Sequence, residues 1–292
     1  MAWFRRAVLA AAVVLGGLGV FGPVSAAPAL WVVKDADSEI YLFGTLHALD
    51  PATRWRTPAY DAVLARAGTV WFEADLDTAD PRTIGRILDT YGKDPDRPLS
   101  RKLSAQDLAA LGRHVDVARI DHLRPWAAAL MLSMQPMLGR GARVEAGADM
   151  TVTRAARRSA KTVRAFETLE DQARLFAGLS ERAEVQYLSD VIRQRSQGPR
   201  LSLRPAPSLE QAWAAGDLAR LGPALVGELR DENPGLYEAL LKRRNLQWAE
   251  QLAGEMSGAG VELVNVGALH MVGEHGLPAL LAARGFAVER VQ

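Results

Sequence analysis

The sequence predicts an α/β fold, in which one central sheet is built from the N- and C-terminal segments and a helical insertion covers roughly residues 100–256. Strand-like apolar runs cluster towards both ends of the chain, and apolar residues recur at helical spacing between them. A Gly-x-Leu-His motif also follows an apolar run at each end, as Gly44-Thr45-Leu46-His47 and as Gly267-Ala268-Leu269-His270. A single sheet made from both segments would bring the two motifs together.

The first 26 residues predict a signal peptide. Arg5 and Arg6 precede an apolar stretch rich in Gly and Ala, and Val24-Ser25-Ala26 offers a cleavage site. The stretch is short for a membrane span, which needs about 20 apolar residues, and no second long apolar run follows it. We therefore expect an exported protein, periplasmic or secreted, whose mature chain over 27–292 forms one α/β domain without a transmembrane anchor.

The composition excludes some classes of binding partner and some kinds of metal or catalytic site. The 35 basic and 34 acidic side chains give a net charge of +1, which offers no electrostatic basis for binding nucleic acid. The expected partner is a peptide or a small-molecule substrate, and the sequence makes no prediction of oligomeric state. The chain has no cysteine, which excludes disulfides, thiolate metal sites, cysteine nucleophiles and a lipoprotein anchor. A metal ion would need His, Asp or Glu as ligands.

The N-terminal part predicts a β-β-α-β order. Turn-forming residues over 35–38 separate two strand-like runs, which is typical of a hairpin. The expected elements are strands over 30–34 and 39–43, a helix over 58–67 and a strand over 69–73. This order places His47 and Glu73 at the ends of two strands.

The middle of the chain predicts helices, and the C-terminal part predicts two more strands. Helices are expected to begin at Ser104, Pro125, Gly147 and Thr168 and to cover 180–192, 209–215, 224–231 and 236–256. Residues 162–167 are a strand candidate that ends on Glu167, and the Pro- and Gly-rich residues 197–207 predict a linker. The last elements are strands over 261–266 and 286–291, on either side of a helix over 277–284.

Two histidines at neighbouring strand ends predict a metal site. Two neutral imidazoles and a carboxylate are a common ligand set for a divalent ion, here Mn, Co or Zn, with one position left open for water. Glu73 and Glu167 offer that carboxylate or a general base. Gly44 and Gly267 would allow unusual backbone angles, or the close approach of a ligand, beside each histidine. The alternative is that His47 and His270 are two unrelated loop histidines.

Several other polar residues remain as candidates. Arg244 could present its guanidinium to an oxyanion or to a carboxylate, or belong to an ordinary charged helix face. Asn245 and Asn265 complete the candidate set. His275 is either a third ligand or an exposed residue near a helix start, and the sequence favours the second. His114 and His122 are expected to lie outside the site.

The motifs together resemble the TraB/GumN family, which includes PrgY-like and Tiki-like proteins. The matching segments are IYLFGTLHALD, VWFEAD, GADMTVTRAARRSAKTVRAFETLEDQARLF, LKRRNLQWAEQL and VNVGALHMVGEHGLPALLAARGFAVERV. The resemblance implies a fold similar to that of erythromycin esterase and ChaN-like haem-binding proteins. It also implies an active centre of His47, Glu73 and His270, while Arg244, Asn245 and Glu167 match other recurring positions.

The function expected from these observations is that of an exported metal-dependent hydrolase, with a peptidase as the leading form, because the Tiki-like members are metal-dependent proteases. The ion held by His47, His270 and Glu73 would activate water, and Arg244 would steady an oxyanion or orient a carboxylate. Two alternatives remain open: a non-catalytic periplasmic protein that binds haem or a peptide, and an accessory factor for exported polysaccharide.

Overall fold

A computed structural model describes residues 27–75, 80–139, 141–197 and 208–292. The predicted signal peptide, and residues 198–207 of the predicted linker, lie outside these ranges. Within them, no helix combines the length and the apolar character that a membrane crossing requires.

A six-stranded mixed sheet forms the centre of the molecule. Its strands are β1 (Leu30–Lys34), β2 (Ser38–Thr45), β3 (Thr69–Phe72), β4 (Thr162–Ala165), β5 (Gly260–Gly267) and β6 (Ala287–Arg290). They lie in the order β4-β3-β5-β2-β1-β6. The pairs β4/β3, β3/β5 and β5/β2 are parallel, whereas β1 is antiparallel to both β2 and β6. The predicted mixed α/β class is therefore confirmed, as is the β1–β2 hairpin.

The helices pack on both faces of the sheet and form a further layer beside it. In the described residues the helices are α1 (Pro58–Arg66), α2 (Pro81–Tyr91), α3 (Leu99–Lys102), α4 (Ala105–Leu111), α5 (Val117–Ile120), α6 (Pro125–Gly139), α7 (Ala148–Arg158), α8 (Leu169–Ala177), α9 (Glu181–Gln197), α10 (Leu209–Ala214), α11 (Leu218–Gly222), α12 (Glu228–Glu232), α13 (Pro234–Tyr237), α14 (Arg243–Glu255) and α15 (Leu277–Ala283).

Each layer has its own apolar core. One face of the sheet packs against α1, α7 and α10 through Tyr60, Val152 and Trp213. The opposite face packs against α14 and α15 through Trp248 and Leu281. A third cluster joins α3, α4, α6 and α9 to one another. Because the parallel strands are covered on both faces, the last five residues of β5 are all buried instead of alternating between buried and exposed.

Several features differ from the expected elements. The edge strand β4 comes from the middle of the chain, so the sheet is not built from the two end segments alone. Helices α2, α3, α5 and α11 were not predicted. The helix expected over 236–256 is interrupted at Glu238–Lys242 by a π-helical segment, in which the amide of Arg243 donates to the carbonyl of Glu238.

Candidate functional site

The carboxyl ends of the four parallel strands meet at one edge of the sheet. Thr45 at the end of β2 pairs with Gly267 at the end of β5, and Phe72 at the end of β3 pairs with Asn265. His47, Glu73, Glu167 and His270 each follow one of these strands by one to three residues. The sheet therefore brings the predicted strand-end residues to one place, which is where open α/β sheets bind their ligands.

Arg244 connects the two glutamates at the centre of the site. Its Nε donates to Glu167 Oε1 at 2.9 Å, and its Nη2 donates to Glu167 Oε2 at 2.9 Å and to Glu73 Oε2 at 3.0 Å. Arg244 is 8% exposed and Glu73 is 9% exposed, so the ion pairs are shielded from water. A forked guanidinium between two buried carboxylates fixes both in position.

The π-helical segment supplies the remaining partner of Arg244. Nη1 of Arg244 donates to the carbonyl oxygen of Leu240, a residue of that segment, at 2.9 Å. The ring of Trp248, one turn later in α14, lies 4.6 Å from the guanidinium carbon and makes a cation–π contact with it. π-Turns occur often at functional sites, and here one precedes the residue that organises the carboxylates.

His270 is held as a neutral ring with a defined tautomer. Its Nδ1 lies 2.5 Å from Asn245 Oδ1. The amide nitrogen of Asn245 donates to the carbonyl of His275 at 2.6 Å, so its Oδ1 must accept from the imidazole and the lone pair of His270 lies on Nε2. That Nε2 lies 3.5 Å from Glu73 Oε1 and 3.3 Å from Arg244 Nη1. Burial lowers the pKa of His270 to about 3.

His47 is anchored in a corresponding way by Asp149. Its Nδ1 lies 2.9 Å from Asp149 Oδ2, while Thr45 Oγ1 donates to Asp149 Oδ1 at 2.6 Å. Asp149 lies in the first turn of α7, where the helix dipole favours a carboxylate. The Asp149 carboxylate raises the pKa of His47 to about 9. The His47 side chain is 57% exposed, so His47 is open to a ligand entering from solvent.

Gly267 leaves open the space between these groups. The amide of Gly267 donates to Glu73 Oε1 at 2.5 Å. A Cβ on this glycine would lie 2.9 Å from Glu73 Oε1, 3.6 Å from His47 Nε2 and 3.8 Å from His270 Cδ2. Three donor side chains thus surround one point that only the lack of a side chain keeps free. Gly267 has a negative φ, so close approach, and not an unusual backbone angle, is the reason for glycine there.

The donor set fits a divalent ion in its chemistry. Both histidines bind an oxygen acceptor through Nδ1, which is how proteins orient imidazole ligands, and this leaves Nε2 of each ring for an ion. The described residues contain no group of three or more His, Asp or Glu side chains already arranged as a metal site. Arg244 Nη1 also lies beside the lone pair of His270. An ion would therefore have to bind with some movement of these side chains.

Charge keeps Glu73 ionised in spite of its burial. Burial alone would raise the pKa of Glu73, but the neighbouring side chains of His270, Arg244 and His47, together with the Gly267 amide, lower it to about 2. Gln172 of α8 adds a longer hydrogen bond of 3.4 Å to Oε2. Glu73 is thus an oriented carboxylate at neutral pH.

Two of the predicted site residues lie beside the centre. Asn265 is fully buried and accepts a hydrogen bond of 2.7 Å from the Tyr60 hydroxyl, so it stabilises the sheet face below the site. Gly44 allows close packing of the turn after β5, since a Cβ there would lie 3.0 Å from the Ala268 Cα. Its φ is not positive either, so the expectation of unusual backbone angles is wrong for both glycines.

The remaining histidines lie away from the centre. His275 Nδ1 is 2.7 Å from the Tyr237 hydroxyl, which occupies that nitrogen. His114 Nε2 lies 3.3 Å from Ser196 Oγ in the helical layer, and His122 is exposed.

Sequence reasoning missed Asp149 as the partner of His47, and it missed Gln172 and Trp248. The sequence predicted only that a helix begins at Gly147, two residues before Asp149. Its role depends on Gly147, where a Cβ would collide with the His47 carbonyl, so that α7 can begin directly against the His47 loop. The tilted ring contact of Trp248 with His270, at 4.5 Å between centroids, has a sequence signal, because Trp248 lies four residues after Arg244 on the same helix face.

The profile of the TraB/PrgY/gumN family matches residues 29–290. A protein described as uncharacterized and named YbaP, from Escherichia coli (strain K12), is 28% identical over 156 residues, which cover 53% of this chain and 55% of that protein. A Shigella flexneri protein with the same description gives the same values. The chain therefore spans about half the length of the curated relatives it matches. No solved structure matches it.

Proposed function

The chain belongs to the TraB/PrgY/gumN family, and from this premise we propose that it is an exported hydrolase that cleaves an amide bond, foremost in a peptide, with a divalent ion as its cofactor. The observation that carries the proposal is the matched anchoring of His47 and His270. Each binds an oxygen acceptor through Nδ1, while His270 Nε2 lies 3.5 Å from Glu73 Oε1 and His47 Nε2 lies 3.6 Å from where a Gly267 Cβ would be. Likeness to the erythromycin esterase and ChaN-like fold is part of the same proposal.

His47 Nε2, His270 Nε2 and the Glu73 carboxylate would hold the ion. A divalent ion bound there would lower the pKa of a bound water to about 7 and polarise a substrate carbonyl. Neutral His270 already offers its lone pair. The proton on His47 must leave first, because its pKa lies near 9.

Arg244 and Glu167 act by positioning. The guanidinium is bound to two carboxylates and a backbone carbonyl, so it orients Glu73 and is not free to bind an oxyanion. Of the two roles expected from the sequence, we retain the orientation of a carboxylate. Glu167 acts through Arg244, since both of its oxygens accept from that side chain.

Metal content tests the proposal. We expect the purified wild-type protein to bind about one Mn, Co or Zn ion, measured by calorimetry and by elemental analysis after dialysis. His47→Ala and His270→Ala should each abolish this binding. His275→Ala is the matched control and should bind as the wild type does. Unchanged metal content in both site variants would refute the proposal.

A non-catalytic peptide-binding protein is the second candidate, and the apolar cavity above the site favours it. Incubation of the metal-loaded protein with unstructured peptides, followed by mass spectrometry, separates the two functions. New fragments that are lost in His270→Ala support hydrolysis. Binding of intact peptides without fragments supports the second candidate. Export is tested by N-terminal sequencing of the mature protein, which should begin near residue 27.

A further inference from the structure

A cavity of about 350 Å³ opens above His47, Glu73 and His270. This volume is at the lower end of the range for ligand pockets, about 300–1,000 Å³, so it suits a short segment of a ligand. Four different helices and the turn after β5 contribute its walls. The wall residues include Leu130, Leu175, Phe176, Leu229, Leu240 and Leu269.

Polar and apolar groups are separated within this cavity. The polar groups lie at the floor, where the charges of Glu73 and Arg244 already bind each other. None of the lining residues above the floor carries a charge. A charged ligand group placed against the leucines would lose its hydration and gain no partner, which is unfavourable. An apolar group would instead exchange water for apolar contacts.

The walls also continue to the surface. Leu130 is 37% exposed, although it is apolar, and it lies at the cavity with the half-buried Leu229 and Leu240. Exposed leucines that line a concave surface leading to reactive groups are typical of a ligand-binding site.

We propose that this cavity is a specificity pocket for a neutral apolar side chain of leucine or phenylalanine size, carried by the substrate residue next to the bond that is cleaved. The inference rests on the proposed function, because it takes the substrate to be a peptide. It adds which peptides are bound: those with an apolar side chain next to the scissile bond, and not those with an acidic or basic one there.

Binding of capped tripeptides tests the pocket without requiring turnover. The probes are N-acetyl-Ala-X-Ala-amide, with X as Leu, Phe, Gly, Asp or Lys, titrated against the full-length mature protein by ligand-observed NMR. One methylene in an apolar pocket discriminates by about 10-fold to 200-fold. We therefore expect the Leu and Phe probes to bind at least about tenfold more tightly than the Gly, Asp and Lys probes.

Variants of the wall residues test whether the preference for apolar probes arises in this cavity. Leu229→Asn and Leu130→Asn, two partly exposed wall positions, should each reduce the preference for Leu over Gly at least about threefold. Leu209→Asn is the matched control, because Leu209 is 47% exposed and does not line the cavity. Leu229→Lys should make the Asp probe bind more tightly than the Lys probe. A folding defect would not produce such a difference between the two charged probes.

The outcomes separate this inference from the proposed function. Equal affinity for all five probes, or a preference that Leu229→Asn and Leu229→Lys leave unchanged, overturns the pocket even if the protein hydrolyses peptides. A preference for Leu and Phe that the wall variants remove supports the pocket. If no probe is then cleaved by the metal-loaded protein, the hydrolase proposal fails while the pocket stands.

Discussion

Removing the charge of Arg244 should destabilise the protein more than any other single change in the site. Arg244→Gln leaves the buried carboxylates of Glu73 and Glu167 without their shared partner. Breaking a buried ion pair from one side typically costs about 3–5 kcal/mol. The depressed pKa of Glu73 points the same way, because the charge of Arg244 is one of the influences that lower it.

The stability deficit of Arg244→Gln should depend on pH. In the wild type the folded pKa of Glu73 is depressed, so its contribution is present above pH ~4.3 and is lost as the pH falls towards ~2. In Arg244→Gln, the pKa of Glu73 would rise, because burial would then be opposed only by His270, His47 and the Gly267 amide. The folded variant would take up a proton at a higher pH than the wild type does, and its deficit relative to the wild type should shrink as the pH falls from 7.5 towards ~4.

Urea unfolding followed by circular dichroism measures both effects. We expect the free energy of unfolding of Arg244→Gln to be about 3–5 kcal/mol lower at pH 7.5, with a melting temperature lower by roughly 6–20 °C. Arg243→Gln is the control, because the Arg243 side chain is 66% exposed and its carboxylate partner is 3.9 Å away, so its change should stay within about 0.5 kcal/mol. A deficit below about 1 kcal/mol, or one that is independent of pH, would refute the reasoning.

Three further predictions concern the groups around Arg244. The His47 ring should titrate near pH 9 by NMR, and Asp149→Asn should bring its pKa down to about 6.5 or below; a value that does not change would exclude Asp149 as the cause. Protonation of the His270 ring should lower the free energy of unfolding as the pH falls from ~6.5 towards ~3, because the unfolded chain takes up that proton at a higher pH than the folded protein does. Between pH 6.5 and pH 5, the free energy of unfolding in urea should fall by about 2 kcal/mol more for the wild type than for His270→Asn. An equal fall in both proteins would contradict this. Gly267→Ala, whose Cβ would lie 2.9 Å from Glu73 Oε1, should weaken divalent-ion binding at least about tenfold by calorimetry, whereas unchanged affinity would show that the space is not used.

Much of the site could be predicted from the sequence, because its residues come directly after the ends of strands. Apolar runs locate the parallel strands, and parallel strands must present their carboxyl ends at one edge, so His47, Glu73 and His270 follow from local patterns. The partners that hold them could not be predicted in this way. Asp149 reaches His47 only because α7 packs against the loop after β2, and that packing is a property of the folded chain.

Helix α2 shows a different limit of prediction from the sequence. Asp80 caps it and Pro81 occupies its first turn, which together are a helix-start signal that was present in the sequence and not recognised. The helix buries little surface, and its apolar residues Ile84 and Leu88 are 41% and 43% exposed. Its pattern therefore does not mark a core element, whereas the patterns of the strands do.

The heights of the two histidines above the sheet edge depend on how the chain leaves each strand. Thr45 and Gly267 are paired, so they define a common level. His47 is two residues further on, in the bend that follows β2. His270 is three residues further on, but β5 continues directly into a 3₁₀ turn over Ala268–Met271, whose rise of about 2.0 Å per residue adds about 6 Å. Both rings nevertheless lie near one point, since a Cβ on Gly267 would be 3.6 Å from His47 Nε2 and 3.8 Å from His270 Cδ2, and Glu73 reaches the same point through the Gly267 amide.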